Sequence, residues 1–149
     1  MVRIEKSIEI KAPPEKIWEM LALDRLLEWD EGTQKNAKSV EYTSEMHTPE
    51  DKYRVGATAH FIDKHDKLKM TMTITESLEI EKMAYRLEGD YDVIITYRLE
   101  PLEKGTKLTY VADGKARSTF INIMFRLFRR FGEKELERSL EQLKSILEK

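Results

Sequence analysis

The stretch 118–149, STFINIMFRLFRRFGEKELERSLEQLKSILEK, decides how the rest of the chain is interpreted. It contains no proline and a single glycine, Gly132, so it predicts one long C-terminal helix. Between Ile4 and Val111 the sequence is typical of β-strands, apart from a short helical region after the first strand. A helix that follows a run of strands must bury its apolar face against the sheet. The pattern therefore predicts an α+β fold.

The two halves of this predicted helix differ in where their apolar residues lie. At about 100° per residue, the second half carries one narrow stripe: Leu136, Leu140, Leu143 and Leu147. The first half carries a broad arc that is rotated away from the stripe: Phe120, Ile123, Met124, Leu127, Phe128 and Phe131. The halves meet at Gly132, where we expect a kink.

Three hypotheses account for the apolar arc, and they do not exclude one another. The arc packs deeply into a strongly curved sheet, or part of it lines a hollow between helix and sheet. The third hypothesis is a contact with a second copy or with a membrane surface. Phenylalanine and arginine on one amphipathic stretch suit both kinds of contact, and the arginines are Arg126, Arg129 and Arg130.

The remaining elements follow from local patterns. Residues 2–10 alternate as a half-buried strand. Pro13 and Pro14 then start a short helix, and a second covers Asp24 to Trp29 and is closed by Asp30-Glu31-Gly32. Further strands are predicted at 38–46, 55–65, 67–75, 82–88, 93–99 and around 108–110. Short connections make neighbouring strands antiparallel, so we expect about seven strands in one domain, 1–149.

Composition excludes several classes of protein. The 26 Lys and Arg residues against 28 Asp and Glu residues leave a net charge of -2, which gives no field to attract nucleic acid. The absence of cysteine excludes disulfides and thiolate metal sites. The charged N-terminus does not resemble a secretory signal, and no apolar run approaches the ~20 residues of a membrane span. We expect a cytoplasmic protein without a transmembrane segment, cofactor or metal.

The strand registers predict which side chains face the helix: Tyr42, Phe61, Asp63, Met70, Met72, Met83, Tyr85, Tyr97 and Tyr110. Methionine suits irregular cavities, and buried tyrosine hydroxyls can orient a ligand. The alternative interpretation is an ordinary core whose hydroxyls reach the rim. Lys6 and Asp63 are the two inward charges, and a buried charge needs a partner or a function.

Catalytic motifs do not emerge from the sequence. His47, His60 and His65 lack the spacing of a metal-binding pair, and His60 is predicted on the outer surface of its strand. No serine lies in a Gly-x-Ser-x-Gly elbow, and no glycine-rich phosphate loop is present. Whether the protein is an enzyme stays open at this stage.

The opening stretch IEKSIEIKAPPEKIW, from Ile4 to Trp18, resembles the start of bacterial and archaeal members of the START/Bet v 1-like (SRPBCC) superfamily. Trp29 is similar to the tryptophan that commonly ends their second short helix. The element order resembles the same superfamily over the whole chain, in particular its polyketide cyclase/dehydrase-like branch. The resemblance implies a helix-grip fold, in which a curved antiparallel sheet wraps around a long C-terminal helix.

The resemblance also implies a hollow between sheet and helix that takes up a small hydrophobic molecule such as a lipid, a polyketide-like compound or an aromatic. Combined with the registers, it predicts these ligand-binding residues: Phe61, Asp63, Met70, Met72, Tyr85, Tyr97, Phe120, Met124, Leu127 and Phe128. One alternative is a cyclase or dehydratase that uses tyrosine hydroxyls with Asp63 or His60 as acid–base groups. Another is an interaction module that forms a homodimer or a peripheral membrane contact.

Overall fold

The computed structural model describes residues 2–89, 91–116, 123 and 126–149. Residues 2–36 form one strand and a group of short helices: β1 (Val2–Ile10), α1 (Pro14–Met20), a 3-10 turn (Leu23–Arg25), α2 (Leu26–Trp29) and α3 (Glu31–Asn36). The remaining strands, with a 3-10 turn at Pro49–Tyr53, are β2 (Ser39–Tyr42), β3 (Thr58–Ile62), β4 (Leu68–Leu78), β5 (Lys82–Glu88), β6 (Tyr91–Leu102) and β7 (Gly105–Ala116). The C-terminal helix is α4 (Arg129–Leu147).

The seven strands form one open antiparallel sheet in the order β1-β7-β6-β5-β4-β3-β2. Each strand from β2 to β7 pairs with the next strand in sequence, and β1 forms one edge of the sheet by pairing with β7. The register shifts between Phe61 and Ile62 and between Ile74 and Glu76, and such irregularities bend a strand. The predicted α+β helix-grip architecture with about seven strands is confirmed.

The C-terminal helix lies against the sheet through the predicted leucine stripe. Leu136, Leu140 and Leu143 are buried in the same core as the inner face of the sheet. The far end of the helix is held to β1, because Lys144 Nζ donates to the Glu9 carbonyl at 3.0 Å. The predicted long helix is interrupted at Phe128 rather than kinked at Gly132: α4 begins at Arg129, and Gly132 lies in its first turn, where its N–H donates to the Phe128 carbonyl at 3.1 Å.

One helix was missed by the sequence patterns. Asp30 does not close α2 into a turn but is the N-cap residue of α3, and its carboxylate accepts from the Thr33 N–H at 3.1 Å. The helix is held by α4, where Ser139 Oγ accepts from the Glu31 N–H at 2.8 Å. Arg138 reinforces the contact with two bonds to the Glu31 carboxylate, at 2.7 and 3.0 Å. These tertiary contacts stabilise six residues whose local sequence resembles a turn.

The turn from β6 to β7 requires a glycine, which yields a first stability prediction. Gly105 has φ +143°, and a Cβ built there would lie 2.3 Å from the Ile10 carbonyl oxygen, which is backbone and cannot move aside. We expect Gly105→Ala to lower the free energy of unfolding by at least about 2 kcal/mol, measured by urea denaturation.

Gly56→Ala is the matched control for this substitution. Gly56 also has a positive φ, +93°, but no heavy atom lies within 4 Å of its built Cβ. Only backbone strain is then added, and a loss of about 1 kcal/mol is expected. Equal losses for the two variants would show that the close approach to Ile10 has no energetic weight.

Candidate binding cavity

A cavity of about 460 Å³ lies between the sheet and the helices α3 and α4. This volume falls within the range of about 300–1,000 Å³ that is usual for small-molecule sites. The leucine stripe of α4 supplies Leu136 to its wall, and Gly132 and Glu135 lie beside it. The hollow beneath the C-terminal helix is therefore not filled by side chains.

The sheet contributes a largely apolar wall to the cavity. Its residues come from six different strands and point inward by the period of two: Ile4, Phe61, Met70, Met72, Leu87, Val93, Ile95 and Ala112. Tyr85, Tyr110 and Lys69 add polar atoms to this wall. Because the wall is apolar over most of its length, it favours an apolar or aromatic ligand body.

Four of the predicted ligand-binding residues line this cavity: Phe61, Met70, Met72 and Tyr85. Tyr97 does not line it but lies directly beneath, since its hydroxyl is 3.3 Å from the Tyr85 hydroxyl. Its ring also makes edge contacts with Trp29 and Tyr110. Burial raises the pKa of both Tyr85 and Tyr97, so these hydroxyls stay protonated at neutral pH and are able to donate hydrogen bonds.

The prediction that Asp63 faces the cavity is wrong. Strand β3 ends at Ile62, so the alternation that would have turned Asp63 inward stops one residue earlier. The Asp63 carboxylate instead accepts from the N–H groups of His65 and Lys67, at 2.8 and 3.0 Å, and closes the β3–β4 turn. These bonds hold the pKa of Asp63 below its usual value.

Three further predictions about the interior have different outcomes. Leu127 and Phe128 do not line the cavity, because their side chains are 71% and 56% exposed. Phe120 and Met124 lie outside the described residues. Lys6 is not a buried charge in need of a function: its ammonium pairs with Glu137 of α4 at 3.0 Å.

The wall on the helix side carries polar groups that the sequence patterns did not identify. Asp30, Thr33 and Asn36 come from the α3 region, and Glu135 and Ser139 come from α4. Gly32 permits this close approach, since a Cβ at that position would lie 2.7 Å from Glu135 Oε1. One signal was available, because aspartate is among the residues preferred at a helix N-cap.

Among the described residues, Asp30 is one of the two whose carboxyl groups line the cavity. Its Oδ2 accepts from both the N–H and the hydroxyl of Thr33, at 3.1 and 2.6 Å. Burial nevertheless raises its pKa, and burial likewise raises the pKa of Glu135. The adjacent Glu31 behaves in the opposite way, because hydrogen bonds from Arg138 and Lys35 lower its pKa to about 2. The cavity thus contains two carboxyl groups with raised pKa values, Asp30 and Glu135. The neighbouring Glu31 has a lowered pKa and is ionised at neutral pH.

Because the pKa of Asp30 is raised and that of Glu31 is lowered, we expect substitutions at these two positions to change the pH dependence of stability in opposite directions. A carboxyl whose pKa is raised on folding favours the folded state as the pH falls, and disfavours it as the pH rises through the folded-state pKa. Asparagine cannot titrate but is an equally good N-cap. We therefore expect the Tm of Asp30→Asn to increase relative to that of the wild type between about pH 4 and pH 7, as measured by circular dichroism.

Glu31→Gln is the matched control at the neighbouring position. The stability that the Glu31 carboxylate contributes is present above its ordinary pKa of 4.5 and is lost as the pH falls towards about 2. The Tm of this variant should therefore fall progressively behind that of the wild type as the pH rises from about 2 to about 4.5. A Tm difference between Asp30→Asn and the wild type that is independent of pH would contradict the assignment of a raised pKa to Asp30.

Comparison with known proteins identifies the class of protein that this fold and cavity define. The family model described as polyketide cyclase / dehydrase and lipid transport matches residues 1–148. The chain belongs to this family. No curated protein matches the sequence at a significant level.

Solved structures share the fold at low sequence identity. A protein of Mesorhizobium loti superposes with a TM-score of 0.69 at 16% identity, covering 98% of this chain and 96% of its own. A protein of Chromobacterium violaceum gives 0.62 at 20% identity, covering 100% and 99%. The Aha1 dimer of Colwellia psychrerythraea, a solution structure, gives 0.64 at 20% identity, covering 99% and 97%. At these identities the similarity shows the fold alone.

Two further structural observations concern partners. Within the described ranges, no helix is both long and apolar enough to cross a bilayer. Among the same residues, no group of three or more histidine, aspartate or glutamate side chains is arranged to hold a metal ion.

Proposed function

We propose that this protein binds a small hydrophobic molecule in the cavity between the sheet and α4. The observation that carries the proposal is the cavity of about 460 Å³, which is lined by apolar side chains from six strands. An unfilled space of this size costs packing energy. A ligand that occupies it therefore gains buried apolar surface and van der Waals contacts. The family description, which includes lipid transport, agrees with this role.

The polar wall specifies the kind of hydrophobic molecule. The carboxyl oxygens of Asp30 and Glu135 can accept hydrogen bonds in either protonation state, and Asn36 can donate or accept. A ligand with a hydroxyl group at one end can donate to these oxygens while its apolar body contacts Phe61, Met70 and Met72. The ligand class that fits is an apolar or aromatic compound with one polar, hydrogen-bonding end.

Two measurements test the proposal. Native mass spectrometry of the purified protein should show a retained small molecule. Titration with 2-naphthol and with naphthalene should show binding of both compounds, with the hydroxyl compound bound more tightly because it reaches the polar wall. A protein that is empty after every purification and binds neither compound would contradict the proposal.

A second candidate function, acid–base catalysis of the cyclase or dehydratase type, is favoured by one specific observation. Asp30 and Tyr85 line the same cavity. The raised pKa of Asp30 moves it towards the range of a general acid or base, whereas the raised pKa of Tyr85 keeps its hydroxyl protonated, so that it can orient a substrate by donating a hydrogen bond. His60 and Asp63, the acid–base groups expected from sequence, do not line this cavity. Catalysis predicts that Asp30→Asn abolishes turnover of a polyketide-like substrate while the protein still binds 2-naphthol.

A further inference from the structure

An exposed apolar surface remains outside the cavity, on the segment that precedes and begins α4. Four large apolar side chains of this segment are between 51% and 71% exposed: Ile123, Leu127, Phe128 and Phe131. Three arginines, also exposed, lie among them in sequence: Arg126, Arg129 and Arg130. We call these seven residues the arginine-flanked patch. Exposed apolar side chains concentrated on one segment mark an interaction site more often than scattered ones do.

The exposure of this patch is not a general property of the helix. Leu136, Leu140 and Leu143 of the same helix are buried, and Ile146 and Leu147 pack partly buried against the same core, so the apolar contact with the core begins after Gly132. Arg129 holds the start of α4 to β1, since its guanidinium donates to the Arg3 carbonyl at 3.0 Å. In the part of the chain that the structure describes, Arg126 and Arg130 have no carboxylate within ion-pair distance. The patch therefore combines exposed apolar side chains with two arginines, Arg126 and Arg130, that have no counter-ion among the described residues, while Arg129 is paired with Glu133 at 3.1 Å.

We propose that the arginine-flanked patch docks on an anionic lipid surface. Phenylalanine and leucine side chains can insert at the boundary between headgroups and acyl chains while arginines bind the lipid phosphates. The local positive charge allows this although the whole chain carries a net charge of -2, because attraction to an anionic membrane falls off within a Debye length.

Charge argues against a second copy of the chain as the occupant. A two-fold contact places the same patch against itself, so Arg126 and Arg130 of one copy would face the same two arginines of the other, whereas the charge of Arg129 is offset by Glu133. Like charges in such a contact repel at close range, and the described part of the patch contains no acidic residue to offset them. An anionic bilayer supplies both the apolar medium and the negative charge.

The position of the patch connects it to the cavity. Gly132 lines the cavity and is adjacent in sequence to Phe131 of the patch. Phe131 also lies close to α3, with its ring centre 5.8 Å from Lys35 Nζ. Docking through the patch would thus bring this side of the cavity to the lipid surface, although the docking itself does not depend on what the cavity binds.

Sedimentation with vesicles tests the proposal. We expect the wild type to pellet with vesicles of phosphatidylcholine mixed with phosphatidylglycerol but not with phosphatidylcholine alone, and to dissociate at high salt. The triple variant Leu127→Ser, Phe128→Ser, Phe131→Ser and the double variant Arg126→Glu, Arg130→Glu should each bind at least about tenfold more weakly. The double variant changes only exposed side chains, so it keeps the test valid if the triple variant is unstable.

A control triple variant on other surfaces, Val55→Ser, Leu68→Ser and Ile94→Ser, removes residues that are 63%, 54% and 45% exposed. It should bind the anionic vesicles as the wild type does. The proposal is overturned if the wild type does not bind these vesicles, or if neither patch variant weakens binding. It is also overturned if the patch variants only disperse a concentration-dependent dimer, since the patch would then be a self-association surface.

Discussion

Replacing Ala112 with tryptophan should lower the affinity for 2-naphthol by at least about tenfold while the protein stays folded. Ala112 lies on β7, is paired with Ile4 and Ile95 on the neighbouring strands, and lines the cavity. An indole at this position would extend into the cavity of about 460 Å³. Because that space is not occupied by side chains, the overpacking penalty of about 1–3 kcal/mol that accompanies insertion into a filled core should be largely absent.

Thr109→Trp is the matched control on the opposite face of the same strand. The Thr109 hydroxyl is exposed and lies 3.1 Å from the Ser7 hydroxyl, on the side of the sheet that faces away from α4. This variant should bind 2-naphthol as tightly as the wild type does. If Ala112→Trp also binds normally, the ligand occupies another part of the molecule, and the proposed function loses its structural basis.

The largest loss of stability is expected for Trp29→Ala, about 3–5 kcal/mol in the free energy of unfolding. Trp29 is fully buried at the end of α2, where its ring packs edge-on against Tyr97 with centroids 6.1 Å apart. Its indole N–H donates to the Met20 carbonyl at 2.8 Å and thereby ties α2 to the end of α1. Alanine removes the packing and leaves that buried carbonyl without its donor.

Trp29→Phe separates the two contributions. It keeps most of the apolar bulk but removes the N–H donor, so a loss of about 1–3 kcal/mol is expected. Urea denaturation followed by far-ultraviolet circular dichroism measures both variants without relying on the fluorescence of the replaced tryptophan. A loss below about 1 kcal/mol for Trp29→Ala would show that the short helices contribute little to the core.

The strands were predictable because their signal is local. In β4 the alternation of Met70, Met72 and Ile74 with threonines reports which face is buried, and all three side chains are buried. Where a strand ends is less well encoded. Leu68, at the edge of β4 beside an irregular register, is 54% exposed although it shares their parity. Asp63 was misplaced for the same reason, since β3 ends before it.

The candidate site was only partly predictable, because half of its wall depends on contacts between distant elements. Phe61, Met70, Met72 and Tyr85 were identified from strand parity. Asp30 was interpreted as a turn residue, and Glu135 was not identified as a candidate at all. No local pattern marks either residue as a cavity residue, but the packing of α3 on α4 places both carboxyl groups in the cavity wall.

By itself, the sequence determined the order of elements, the antiparallel sheet and the leucine stripe that holds α4, because periodicity and turn residues act over a few neighbouring positions. The tertiary structure alone decided three things: that the space under α4 is left empty, that Asp30 and Glu135 line it, and that Leu127 and Phe128 point to solvent. Hydrophobicity states only that a side chain favours leaving water. Whether the sheet, a ligand or another surface covers it depends on elements that are far away along the chain.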